Sequence, residues 1–360
     1  MPNPAPLPGA GLHFACEAME EAFGSKLMVM PRRKRFGVLP DGSAVDVITL
    51  AAGGLEMNVL TYGCIIASLS VPDSRDRPAN VVLGFDSLGR YLAESPYFGA
   101  VVGRYANRVR GARFVIDGRE HHLSPNEPPN HLHGGFKGFD KHVWDAEPAE
   151  NGRAIVFRRQ SANGEEGYPG ALDVQVTYML AEHELHVSYE ARSELPTHVN
   201  LTQHSYFTLS GTGDVLEHCL TINANTYLPV DEQLIPTGEP APVANSPFDF
   251  QDSVPIGARL NADHPQLKRA GGYDHNFILN TSGSAPSVAA RVVDPVSRRS
   301  LEIRTTEPGL QFYSGQVVGH RGFCLEPQHH PDSPNRSDFP STLLRPGERY
   351  ESRTIYAFNR

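Results

Sequence analysis

Val174-Gln175-Val176-Thr177-Tyr178-Met179-Leu180 and Leu185-His186-Val187-Ser188-Tyr189-Glu190, joined by Ala181-Glu182-His183-Glu184, read as two strands and a hairpin loop of ordinary length. The same texture extends from Phe36 onward. Phe114 to Glu120 carries the Asp117-Gly118 pair of a tight hairpin turn. Ala154 to Phe157, His218 to Ile222, Phe277 to Leu279, Leu301 to Thr305 and Gln311 to Tyr313 are further strand candidates. Helix signals are scarce, Ser87 to Glu94 being the best beyond the N-terminus. No linker or internal repeat interrupts 36–360, so the expectation is one all-β domain, a large antiparallel β-sandwich.

Composition narrows the function classes. A chain of 360 residues with 39% hydrophobic content can bury a large core, and its 33 Gly and 30 Pro are spread as turn formers rather than gathered in one tract. A net charge of -9 argues against nucleic acid or an anionic membrane surface as partner. No apolar run reaches the length of a membrane span. Cys16, Cys64, Cys219 and Cys324 form no C-x-x-C pair, which points to a reducing compartment. Near the N-terminus, Glu17, Glu20 and Glu21 interrupt a segment unlike a secretory signal, with Leu12, Cys16, Met19 and Phe23 at helical spacing. Residues 1–35, including Arg32-Arg33-Lys34-Arg35, therefore read as an extension of unassigned function, and residence as cytoplasmic.

Phe323-Cys324-Leu325-Glu326-Pro327-Gln328 sets a carboxylate at the end of a short apolar strand, with Pro327 expected to stop it. Alternation puts Cys324 and Glu326 on one face and Phe323 and Leu325 on the other. Taken alone, Glu326 fits a solvated strand end better. Thr197 to Phe207 reads as a strand whose even positions His198, Asn200, Thr202, His204 and Tyr206 carry hydrogen-bonding groups without Lys or Glu, the pattern of a cleft wall. His131-Leu132-His133-Gly134-Gly135 presents a histidine beside a glycine turn. A metal is not favoured, because no carboxylate follows before Asp140 and the adjacent His329-His330 point to opposite faces. Gly103 to Arg108 offers guanidinium and amide groups, and Gly271 to Asn276 puts Asp274 before a strand. Gln311 and Tyr313 share a face. Each of these fits a surface turn on its own. There is no nucleophile elbow, P-loop or dinucleotide fingerprint. The inventory suits binding a polyhydroxylated molecule and moving protons on it.

The same segments resemble the galactose mutarotase (aldose 1-epimerase) family. The matches run in order: Asn80 to Phe85, Tyr97 to Ala100, Gly103-Arg104, Ala106 to Arg108, His131 to Gly135, Gly164 to Gly170, Asn200 to Phe207, Tyr227 to Asp231, Gly272 to Phe277, Gly309 to Gly315 and Cys324 to Glu326. The resemblance implies a galactose mutarotase-like supersandwich that interconverts α and β anomers of free aldoses such as D-galactose and D-glucose without cofactor or metal. It makes Glu326 the catalytic base, His204 the catalytic acid and His133 the second active-site histidine. Arg108, Asp274 and Gln311 match sugar-hydroxyl contacts, with Asn107 added. The partner implied is a small aldose, bound by a monomer or homodimer. A hexose-6-phosphate epimerase, with Arg104 and Arg321 as the cations to check, and a non-catalytic sugar-binding protein are the competing expectations.

Overall fold

The computed structural model describes residues 31–149 and 152–359. Three large antiparallel sheets dominate. A five-stranded meander runs Arg32–Val38, Ala44–Ala52, Leu55–Leu60, Ile66–Pro72 and Pro78–Asn80. A nine-stranded sheet has the spatial order Asp145–Pro148, Ala154–Ser161, Leu172–Ala181, Glu184–Ser193, Tyr350–Asn359, Ser300–Thr305, Ser287–Val293, Cys219–Ile222 and Val254–Pro255. A six-stranded sheet has the order Tyr206–Phe207, Phe323–Gln328, Gly309–Tyr313, Asp274–Leu279, Ala224–Tyr227 and Ala241–Pro242.

The hairpin that opened the reading lies near the middle of the nine-stranded sheet, longer and tighter than the sequence implied. Leu172–Ala181 and Glu184–Ser193 pair along their whole length, leaving only Glu182 and His183 in the turn, with His183 at φ 56°. Strand alternation sends Leu172, Val174, Val176, Tyr178 and Leu180 inward and their neighbours toward the surface. Each such side chain stabilises the fold by about 1.5–3 kcal/mol when fully buried. They join Leu50 and Met57 of the meander and Phe312 and Leu325 of the six-stranded sheet in one core. The all-β sandwich is thus realised. The Asp117-Gly118 turn also forms, Ile116 pairing with Arg119 across it.

Two readings need correction. Arg32 to Arg35 are not part of an appendage: they lie in the first strand, where Arg33 and Arg35 both bind Asp46, at 2.7 and 2.8 Å. Pairing with Ala44–Ala52 gives this basic run a place in the sheet that its composition hid. The expected N-terminal helical spacing lies outside the described residues. Pro327 does not end its strand, which continues to Gln328. The Pro327 carbonyl accepts from Thr202 Oγ1 at 2.8 Å, so the missing N–H falls on the side where no ladder bond to Gly309–Tyr313 is required. Helix Leu88–Glu94 forms as expected, and a second short helix, Pro265–Ala270, had no clear sequence signal.

Candidate active site

The six-stranded sheet builds the floor of the site by register. Asn276, Gln311 and Glu326 stand directly opposite one another across three strands, and Asp274, Tyr313 and Cys324 form the adjacent row. Directly paired residues project to the same face, so Asp274, Gln311 and Glu326 share one. Phe323 and Leu325 point into the main core, as alternation requires. Gln311 Nε2 donates to Asp274 Oδ1 at 2.7 Å, which fixes both side chains. Glu326 is buried, and its Oε2 has no hydrogen-bond partner.

His204 comes from a three-residue strand, Thr202–His204, paired with Ala100–Val102. Its Nε2 lies 3.7 Å from Glu326 Oε2, and its Nδ1 lies 3.6 Å from Cys324 Sγ. His133 completes the group, its ring centroid 5.3 Å from that of His204. Its Nδ1 accepts from the Asn107 backbone N–H at 3.1 Å, which leaves Nε2–H free to donate. The turn behind it needs glycine. Gly134 sits at φ 87°, and a Cβ there would come 1.8 Å from the Gly103 carbonyl oxygen. Asn107 Oδ1 accepts from the Arg108 N–H at 2.9 Å, and the Arg108 guanidinium binds both oxygens of Glu127, at 2.7 and 2.8 Å. Sequence reasoning found neither Glu127 nor the role of Tyr97, whose ring lies 4.8 Å from His133 and 5.6 Å from His204. Glu127 sits in no matched segment. Tyr97 was inside one, but nothing local marked its direction.

Other expected polar residues serve the scaffold. Of the even positions from His198 to Tyr206, only His204 reaches the carboxylate of Glu326. His198 binds Thr342 Oγ1 and packs edge-on to Phe114, and Asn200 ties Ala106 to His329. The stretch is three short strands rather than one, which is why a single alternating face does not line the cleft. His131 binds the Ser124 carbonyl and the Tyr168 hydroxyl. His329 and His330 bind different partners, Glu307 and Asn276.

Burial governs the electrostatics. It pulls His204 down to about 4 and drives His133 well below the usual histidine range, the latter helped by His204 and Arg108. Burial and the neighbouring Asp274 push Glu326 well above the carboxylate range, against the pull of Arg108. Asp274 is also raised, chiefly by burial. The sequence reading took an ionised Glu326 and a protonated His204 from their unperturbed values. Burial instead favours a neutral carboxylic acid beside a neutral imidazole. Both descriptions put one proton on the pair; they differ only in which member carries it. His133, His204 and Glu326 offer one donor atom each within 4.8 Å of one another. Tetrahedral zinc, with donors at about 2.1 Å, holds them about 3.5 Å apart.

A buried carboxylate and a half-buried imidazole pair beside the site. Glu307 Oε2 lies 2.7 Å from His329 Nδ1, one residue beyond the Phe323–Gln328 strand. Burial opposes charge on both, but their attraction wins: Glu307 is held below its ordinary 4.5 and His329 above its ordinary 6.5. The His329 contribution is whole below pH 6.5 and lost as pH rises through its raised value. That of Glu307 is whole above pH 4.5 and lost as pH falls through its lowered value. Glu307→Gln should destabilise the fold by about 3 kcal/mol between those limits and less at alkaline pH, read by urea unfolding across pH. A pH-independent loss would contradict the pairing. For Glu127→Gln the expected result is a KM raised about tenfold with little change in kcat, the scale of one lost charge-assisted hydrogen bond. Steady-state kinetics check it, and an unaltered KM would show that Arg108 needs no anchor.

The aldose 1-epimerase family profile matches residues 46–357. The chain belongs to the aldose 1-epimerase family. Galactose mutarotase of Rattus norvegicus is 46% identical over 92% of this chain and 99% of its own. Aldose 1-epimerase of Escherichia coli K12 is 38% identical over 89% of this chain and 96% of its own. The solved galactose 1-epimerase of Lactobacillus acidophilus superposes with a TM-score of 0.82 at 30% identity, covering 91% of this chain and 98% of that one.

Proposed function

We propose that this aldose 1-epimerase family member interconverts the α and β anomers of free aldoses such as D-galactose and D-glucose, with Glu326 as base and His204 as acid. The observation that carries the reading is the facing pair itself: a buried, unpartnered Glu326 Oε2 set 3.7 Å from His204 Nε2. A sugar seated here brings hydroxyls that solvate charge, so the shared proton moves to His204 and the pair becomes carboxylate and imidazolium. Glu326 then takes the proton from O1 as His204 delivers its proton to the ring oxygen O5. The C1–O5 bond breaks and the C1–O1 bond becomes the aldehyde. Rotation about C1–C2 presents the other aldehyde face. Closure with both transfers reversed gives the other anomer and restores the starting protons. Each positioned acid or base contributes about 10²–10⁴-fold. His133, Arg108, Asp274, Gln311 and Asn107 hold the hydroxyls so that O1 and O5 meet the pair.

The phosphosugar alternative loses one of its two cations. Arg104 is 2% exposed and spends its guanidinium on Ser161, Ala162, Pro169 and Gly170, while Arg321 is exposed. A non-catalytic binder would not need the facing acid and base. No helix among the described residues is long and apolar enough to cross a membrane. Cytoplasmic residence belongs to this proposal, supported by Cys64, Cys219 and Cys324 standing as free thiols. NMR exchange spectroscopy on the anomeric protons of D-galactose tests the activity. Accelerated α/β exchange that glucose 6-phosphate leaves untouched supports it; exchange seen only with the phosphosugar would replace it with the rival.

A further inference from the structure

Two aromatic faces flank His204. The Tyr206 ring lies 5.2 Å away at 20° to the imidazole plane, and the Tyr97 ring lies 5.6 Å away at 22°. Tyr97 also touches His133, at 4.8 Å between centroids, so one ring abuts both active-site histidines. Its backbone is held at φ 66°, the left-handed region that a bulky residue rarely occupies, as are those of Asn107 at 67° and His133 at 51°. Such conformations persist where the surroundings over-determine them, and they gather at functional sites. Here the constraint is visible. Ala100 N–H bonds back to the Tyr97 carbonyl at 3.1 Å, Phe98 N–H to Ser95 Oγ at 3.0 Å, and Gly99 N–H to the carbonyl of His204 itself at 3.0 Å. The turn carrying the ring is therefore bonded to the residue that the ring faces.

We propose that Tyr97 is a positioning residue for the proton donor: its π face holds the His204 imidazole toward Glu326 and stabilises the positive charge that ring carries before it delivers the proton. The inference rests on the acid role given to His204 above. Imidazolium in this buried setting is costly, and each ordinary neighbour falls short as a source of compensation. Glu326 at 3.7 Å is the partner whose charge is consumed in the same step. His133 is itself neutral and supplies no negative charge, and the Cys324 thiol at 3.6 Å is neutral too. Arg108 is bound to Glu127 and Asp274 to Gln311, so neither is directed at His204. Lys141 Nζ lies 5.5 Å from the Tyr97 ring centroid and is paired with Asp140 at 3.4 Å, so its charge is offset locally. Beside its own backbone, which also favours the charge, the negative faces of Tyr97 and Tyr206 remain, both within the roughly 6 Å over which a cation is attracted to an aromatic face.

The test grades the π face without changing the fold. Tyr97→Phe keeps the ring, removes the hydroxyl and serves as the parent of a graded series. Replacing that phenylalanine by mono-, di- and trifluorinated analogues withdraws π density at nearly constant shape. We expect kcat to fall stepwise, about tenfold over the series, with KM steady. The His204 pKa, read from its Cε1 proton by NMR, should fall by about half a unit in parallel. A flat fluorination series, or a change confined to KM, would overturn the proposal. Wild-type protein that fails to speed anomer exchange at all would instead overturn the functional reading on which it rests.

Discussion

Glu326→Gln is expected to lower kcat for anomer exchange by about 10³-fold while leaving sugar affinity within about threefold. The substitution keeps the shape of the side chain and its place opposite Gln311, so the floor of the cleft stays intact. What it removes is the atom that accepts the O1 proton. Since Glu326 Oε2 has no hydrogen-bond partner within the fold, the loss leaves no other group orphaned. Stability should hold or rise, because a carboxyl group raised by burial is replaced by a neutral amide. Isothermal titration with galactose and steady-state polarimetry together separate the two effects. Weakened binding at an unchanged kcat would make Glu326 a hydroxyl contact and not the base.

His204→Asn is expected to cost about 10²–10³-fold in kcat and to change the form of the pH profile. In the wild type, the active pair carries one proton. A second proton removes the base, and the tendency of burial to hold His204 down near 4 puts that acid limb well below neutrality. Loss of the only proton removes the acid, and the raised position of Glu326 moves that limb to higher pH. The expected kcat/KM profile is therefore a broad plateau across neutrality, falling on both sides, with limbs that belong to the pair. With Asn at 204 only Glu326 titrates, so the residual rate should rise once with pH and then stay level. A bell retained in the mutant would assign the acid to another group, His133 being next nearest.

The fold was legible because it rests on short-range patterns. Alternating Val, Tyr and Leu from Val174 to Leu180 specify a strand with one buried face, and Asp117-Gly118 specifies a turn whose two residues adopt φ 51° and 78°. Arg32 to Arg35 were misread because charge on an edge strand is what an unstructured basic run also looks like; the decisive partner, Asp46, lies on the next strand. The site was legible where residue type is tied to strand alternation. That put Glu326 opposite Leu325, and the paired rows then brought Gln311 and Asp274 beside it. What the sequence concealed depends on contacts between distant segments. Glu127 meets Arg108 across 19 residues, and the Tyr97 turn bonds to His204 over a hundred positions away. The charge states were hidden for the same reason. Unperturbed pKa values assume water around the group, and the fold removes it from both His204 and Glu326.

Polarimetry of freshly dissolved α-D-galactose, with wild-type protein and Glu326→Gln run side by side, bears most directly on the claim that this pair moves the protons of anomer exchange. The expected result is a relaxation rate that rises in proportion to wild-type concentration, with the mutant close to buffer although it still binds the sugar. Relaxation by the mutant at near the wild-type rate would contradict it.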